Sequence, residues 1–202
     1  MNKLKALEEK FFLDYPQGFD SEEMLKTEKK HKLDKMSKMA RENFSVEAFE
    51  SGDILESFKK LINQSSLVSR FEKPTFKHFI ETINEEEKVL LIKGIYENLH
   101  GDEKLGFEIM CDLMRPYKTA KWPILTVLRA YYNLQTDIFI KPTTVKSILN
   151  YFESDLKYTS KPNFEFYDAY RSFLNGIKDQ ASQAVKPNNP AFSGFMMLTI
   201  DA

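Results

Sequence analysis

The stretch NEEEKVLLIKGIYENLHGDEKLGFEIMCDLM, residues 84–114, decides the fold class. Asn84 is a favoured N-cap, and the carboxylates of Glu85, Glu86 and Glu87 suit the positive end of a helix dipole. The apolar residues that follow predict a helix from Glu85 to Leu99. Gly101 stands where a left-handed residue would end it, and a second helix is expected from Glu103 to Met114. Outward from this pair, further helices are read at Pro74–Ile83 and Pro123–Leu134, and the four together are expected to form the central core.

Composition agrees. Only 7 Gly occur in 202 residues, few for a protein built on tight β-hairpins. With 42% hydrophobic residues and 17 Phe, the chain can bury one substantial, Phe-rich core. The expectation is an all-α, single-core bundle of about eight to ten helices with a looser N-terminal helical pair. Residues 1–70 would be an extension packed on a core domain of residues 71–202, the whole being possible as one continuous domain.

Towards the N-terminus, Leu4, Leu7, Phe11 and Tyr15 recur at helical spacing and should stop at Pro16-Gln17-Gly18. A second helix is expected from Asp20, where Glu23 completes a capping-box pattern, to about Asn43. Its interior from Leu25 to Leu33 is polar and should stand in water, and the basic run Lys26 to Arg41 reads as a solvated face. Ile54, Phe58, Leu61 and Ile62 mark a short helix, and Asn63 to Ser69 reads as a linker.

Towards the C-terminus, Val145, Ile148, Leu149 and Phe152 give one amphipathic helix, and a longer one is expected from about Pro162 to Ala184. Lys-Pro pairs at Lys73, Lys141, Lys161 and Lys186 are read as helix starts with Pro in the first position. Their unequal spacing argues against a repeat. Ala191 to Ile200 fits a helix or a buried strand equally.

The chemistry is sparse. Cys111 lies in an apolar helical pattern, as an inert core thiol would. His31, His78 and His100 lack partners at helical ligand spacing, so no metal is expected. His100, ahead of Gly101, suits the negative end of its helix. No Gly-rich phosphate loop, nucleophile elbow or dinucleotide fingerprint occurs, and no cofactor is expected. The turn Leu99-His100-Gly101-Asp102-Glu103 carries two carboxylates where a helix-hairpin-helix DNA-binding protein meets phosphate. The absence of a long apolar run or signal pattern points to a cytoplasmic protein without a membrane role.

Formal net charge is −1, from 29 basic and 30 acidic residues, so an anion-binding surface would have to be local. Arg115 to Lys146 holds six basic residues (Arg115, Lys118, Lys121, Arg129, Lys141, Lys146) against the single acid Asp137. Tyr117, Trp122, Tyr131 and Tyr132 are interleaved, a combination that suits single-stranded nucleic acid. Thr143 and Thr144 open a helix behind Lys141-Pro142, where amides and hydroxyls can hold a phosphate or carboxylate. The expected function is non-enzymatic binding of an anionic ligand or nucleic acid by Arg115, Lys118, Lys121, Trp122, Lys141, Thr143, Thr144 and Lys146. Two other readings stand beside it. One is contact with a protein partner or a second copy through Leu33, Met36 and Met39. The other is an enzyme whose site gathers distant residues such as His78, Asp102, Asp112 and Tyr132.

Lys121-Trp122-Pro123, Phe139-Ile140-Lys141-Pro142-Thr143-Thr144-Val145-Lys146 and Phe166-Tyr167 before Tyr170 resemble a group of bacterial hypothetical proteins of about this length. The resemblance spans roughly residues 115 to 175. It implies a recurring helical module and no particular reaction, and it carries over no functional residue.

Overall fold

The structure is a computed structural model that describes residues 3–200; the outer limits expected for the two parts of the chain, residues 1 and 202, lie outside it. The protein is all-α, and the described residues form twelve α-helices and two short 3-10 turns. Two more helices occur than the fullest sequence reading gives. The helix expected over 20–43 is divided, and a short helix, Val46–Ser51, follows it.

At the centre are α7 (Glu85–His100) and α8 (Glu103–Met114), an antiparallel hairpin. A capping box starts α7: Asn84 Oδ1 accepts from the Glu87 amide and the Asn84 amide donates to Glu87 Oε2, both at 2.9 Å. Asp102 caps α8 by accepting from the Leu105 amide at 3.0 Å. Gly101 closes α7 at φ −123°, not in the left-handed region the sequence suggests. Two buried glycines, Gly94 and Gly106, bring the two backbones close.

The middle of the molecule is α9 (Trp122–Tyr132), buried almost all round, as a helix apolar on every side requires. Against it pack α3 (Leu33–Asn43), α5 (Ile54–Gln64) and α8. The next layer comprises α10 (Pro142–Tyr151), α11 (Phe164–Gln180) and α12 (Asn189–Ile200), with α12 lying on α10. The stretch left open by periodicity is thus a helix, starting where Asn188 Oδ1 accepts from the Ala191 amide. Its other partner is α1 (Lys3–Asp14), whose stripe of Leu4, Leu7 and Phe11 is buried, with Phe11 edge-on to Phe195. A contiguous apolar cluster runs from Leu4 to Met196 and contains eight of the chain's phenylalanines at under 2% exposure.

Of the N-terminal pair, α2 (Glu22–His31) is the loose member, burying only Met24. Its N-cap is Ser21, not Asp20, which lies in the 3-10 turn Gly18–Asp20. Of the four Lys-Pro pairs, only the second places Pro first in a helix, at Pro142. Pro74 lies inside α6 (Glu72–Thr82), and Pro162 and Pro187 precede α11 and α12. No described helix is long and apolar enough to cross a membrane.

Candidate functional site

Folding divides the basic segment 115–146. Arg115, Lys118 and Lys121 occupy the turn from α8 to α9, all exposed. Arg115 pairs with Asp112 at 2.8 Å, and Lys121 lies near Glu72 of α6. Lys141, Thr143 and Lys146 sit exposed on and before α10, where the Lys146 ammonium lies 4.9 Å from the Tyr158 ring centre, while Thr144 is buried. The expected stacking rings face inward. Trp122 is 2% exposed, donates its indole N–H to the Thr159 carbonyl at 2.7 Å and packs on Phe107 and Phe166. Tyr131 is fully buried, Tyr117 donates to Glu87, and Tyr132 lies edge-on to His100. An apolar environment for the rings outweighs stacking on a ligand, so Trp122 leaves the expected surface.

The segment's Arg129 and its only acid are also interior, bound to each other. Asp137 accepts from Arg129, from Arg171 and from the Tyr167 hydroxyl at 2.9 to 3.1 Å. Arg171 continues to Glu103 and Asp168, each at 2.6 Å, and Arg129 reaches the Asn98 carbonyl. Two guanidiniums and three carboxylates thereby tie α7, α8, α9, α11 and the connection after α9. Every charge has a partner, as burial of such groups demands.

The interaction face expected on Leu33, Met36 and Met39 is covered. Met36 is buried, Leu33 and Met39 pack on the core, and α9 and α5 are the partners. The residues of the dispersed enzyme reading have separate local roles. Asp102 is a helix cap, Asp112 pairs with Arg115, His78 is exposed on α6, and Tyr132 packs on His100. His100 itself bonds the Phe44 carbonyl at 2.8 Å, a tertiary contact in place of the expected service to its own helix end.

What the sequence did not point to is the elbow between α2 and α3. Lys32 adopts φ 51° and ψ 43°, a left-handed conformation that ends one helix and begins the next. A side chain there carries a steric cost, and Gly or Asn usually marks it. At the elbow is a cavity of about 320 Å³ lined by Lys30, His31, Lys32, Lys35, Met36 and Gln64. The outer lysines of the basic run have acidic partners, Lys26 with Glu22 and Lys38 with Glu42. Among the described residues none of Lys30, Lys32 and Lys35 lies within ion-pair distance of a carboxylate. A second hollow sharing Lys32 and Lys35 includes Glu28 and Asp34, so only the first is lined by positive charge alone. The negative end of α2 and the positive end of α3 meet at Lys32 and largely offset each other, leaving the side chains to set the local field.

His31 is held from outside the elbow. Its Nδ1 is 2.8 Å from Ser66 Oγ, in the Ser-rich segment read as a linker, where Ser65 is buried against the Tyr131 hydroxyl at 2.9 Å. Burial, then the charges of Lys30 and Lys141, push the His31 pKa below the usual 6.5. Lys141, from the expected set, therefore adds to the positive field of the elbow.

Such a cluster has one evident chemical capacity, which is to attract and hold an anion. Compared with known proteins, the chain matches no family model, no curated protein and no solved structure, so its function is read from this geometry alone.

Proposed function

We propose that the protein is a non-catalytic binding protein for a small anionic ligand, held at the elbow between α2 and α3. The observation that supports this is the cavity whose lining includes a histidine and three lysines that, among the described residues, lie beyond ion-pair distance of any carboxylate. Its volume, about 320 Å³, is at the lower end for small-molecule sites and suits a compact ligand. An extended nucleic acid fits less well, because the rings that would stack its bases are inside the protein.

The test is a titration with sodium sulfate by calorimetry at low ionic strength. Saturable binding with one site is expected, and it should weaken steeply at 0.5 M sodium chloride, about where screening falls to a few ångströms. The double reversal K30E/K32E should abolish it, and K118E/K121E on the α8–α9 turn should leave it unchanged. Absence of saturable binding, or equal loss in both double variants, would overturn the assignment.

A further inference from the structure

We infer that the elbow site takes a doubly charged oxyanion of the phosphate-ester class and that His31 takes up a proton when such an anion enters. The inference rests on the binding reading above and specifies its ligand chemistry.

His31 lines the same cavity as Lys30, Lys32 and Lys35 and is fixed through Nδ1 to Ser66, which leaves Nε2 as its second polar atom. The groups around it are nearly all positive or neutral. On its own helix stands Lys30, at the elbow Lys32, on α3 Lys35, and ahead of α10 Lys141; from α5 and the segment after it come Gln64 and Ser66. Glu28 and Asp34 belong to the neighbouring hollow.

With the cavity empty, a protonated imidazole would face the ammonium groups of Lys30 and Lys141 while partly withdrawn from water. Both effects favour the neutral ring, consistent with its depressed pKa. An anion reverses the balance, since it neutralises the lysine field and can accept a hydrogen bond from the ring. A dianion exerts twice the field of a monoanion at equal distance, so it is the ligand able to recruit the additional proton. The balance is simple: the anion and one solvent proton enter together, no bond of the ligand breaks, and both leave together. Because coupling is reciprocal, a ligand that raises the His31 pKa binds more tightly as pH falls through the interval between the free and bound values. One coupled proton gives at most about a tenfold rise in affinity per pH unit.

Sulfate is the appropriate probe because it stays a dianion from pH 5 to 8, and chloride is the monoanion control. The histidine ring resonances of the full chain are followed by NMR across this range with and without sulfate, beside calorimetric affinities. Sulfate should raise the His31 pKa, chloride should do so far less, and affinity should climb toward low pH. H31Q keeps a side-chain donor and the lysines, so it should still bind sulfate but with a flat pH profile. Saturable binding that leaves the His31 titration unmoved, or H31Q with the wild-type profile, would overturn the proton coupling and leave the anion site standing. Absence of sulfate binding at every pH would overturn both.

Discussion

Lys32 shows how much one backbone angle can organise. Were it helical, residues 22–43 would be one rod, and Lys30 would stand on the opposite side of its axis from the neighbouring pair Lys32 and Lys35. At φ 51° the rod folds, and Lys30, Lys32 and Lys35 border one hollow. The left-handed state costs a non-glycine residue about 1–2 kcal/mol, against about 0.5–1 kcal/mol of extra chain entropy lost by glycine. Lys32→Gly should therefore stay within about 1 kcal/mol of the parent in urea denaturation, and Lys32→Val should be less stable than Lys32→Gly by roughly 1–2 kcal/mol, because a β-branched side chain tolerates that conformation poorly. Nothing in the sequence marks this bend. The polar gap before Leu33 is legible as solvent exposure, but lysine gives no turn signal, and the usual markers Gly, Asn and Pro are absent from residues 21–42.

At the scale of elements, the contact between α7 and α8 depends on Gly106. A methyl group there would lie 2.1 Å from the Asn98 amide nitrogen and 2.6 Å from the Gly94 carbonyl oxygen, both backbone atoms that cannot move without shifting the helix. At Gly94 the nearest obstacles are side-chain carbons of Ile109 and Met110, at 2.9 and 3.1 Å. Gly106→Ala should cost about 2–3 kcal/mol, and Gly94→Ala much less, since side chains can give way and alanine gains up to about 1 kcal/mol in helix propensity. Thermal unfolding of the two variants checks the order. Elements with strong local grammar were readable from sequence: Asn84 with Glu87 starts a helix as expected, and Val145, Ile148 and Leu149 face inward. Ala191 to Ile200 was not, because a segment buried on two sides, by α1 and α10, shows no periodicity.

For the whole molecule, burial of weak acids links stability to alkaline pH. Burial pushes the Cys111 thiol from its usual 9.0 up to about 12, and the Tyr131 hydroxyl from 10.0 up to about 12 despite the opposing bond from Ser65. Each group stays protonated in the folded protein where the unfolded chain has released the proton. Their contributions are complete below pH 9 and 10 respectively, and are lost as pH rises to about 12, each with a slope of about 1.4 kcal/mol per pH unit at most. Lys178, lowered by burial, works the other way up to its usual 10.5. Cys111→Ala should therefore have a shallower decline of urea midpoint between pH 9 and 11 than the parent, whatever its stability at pH 7. The candidate site belongs to this scale too, which is why spacing along the chain does not reveal it. A run of cations from Arg115 to Lys146 looks like a surface only while contiguity stands for proximity. Folding sends Trp122 and Arg129 inward and leaves Lys141 beside a cavity made by α2 and α3.

The pairing of α1 with α12 also bears on how the chain is made. Lys10 donates to the Thr199 carbonyl across 189 residues of sequence, and Leu4, Leu7 and Phe11 have α12 as their cover. At about 5–20 residues per second, a ribosome needs about 10–40 s to traverse that interval. Throughout it α1 is a sticky amphipathic ribbon without its main apolar cover, and a newborn chain must shelter it from its neighbours until α12 emerges.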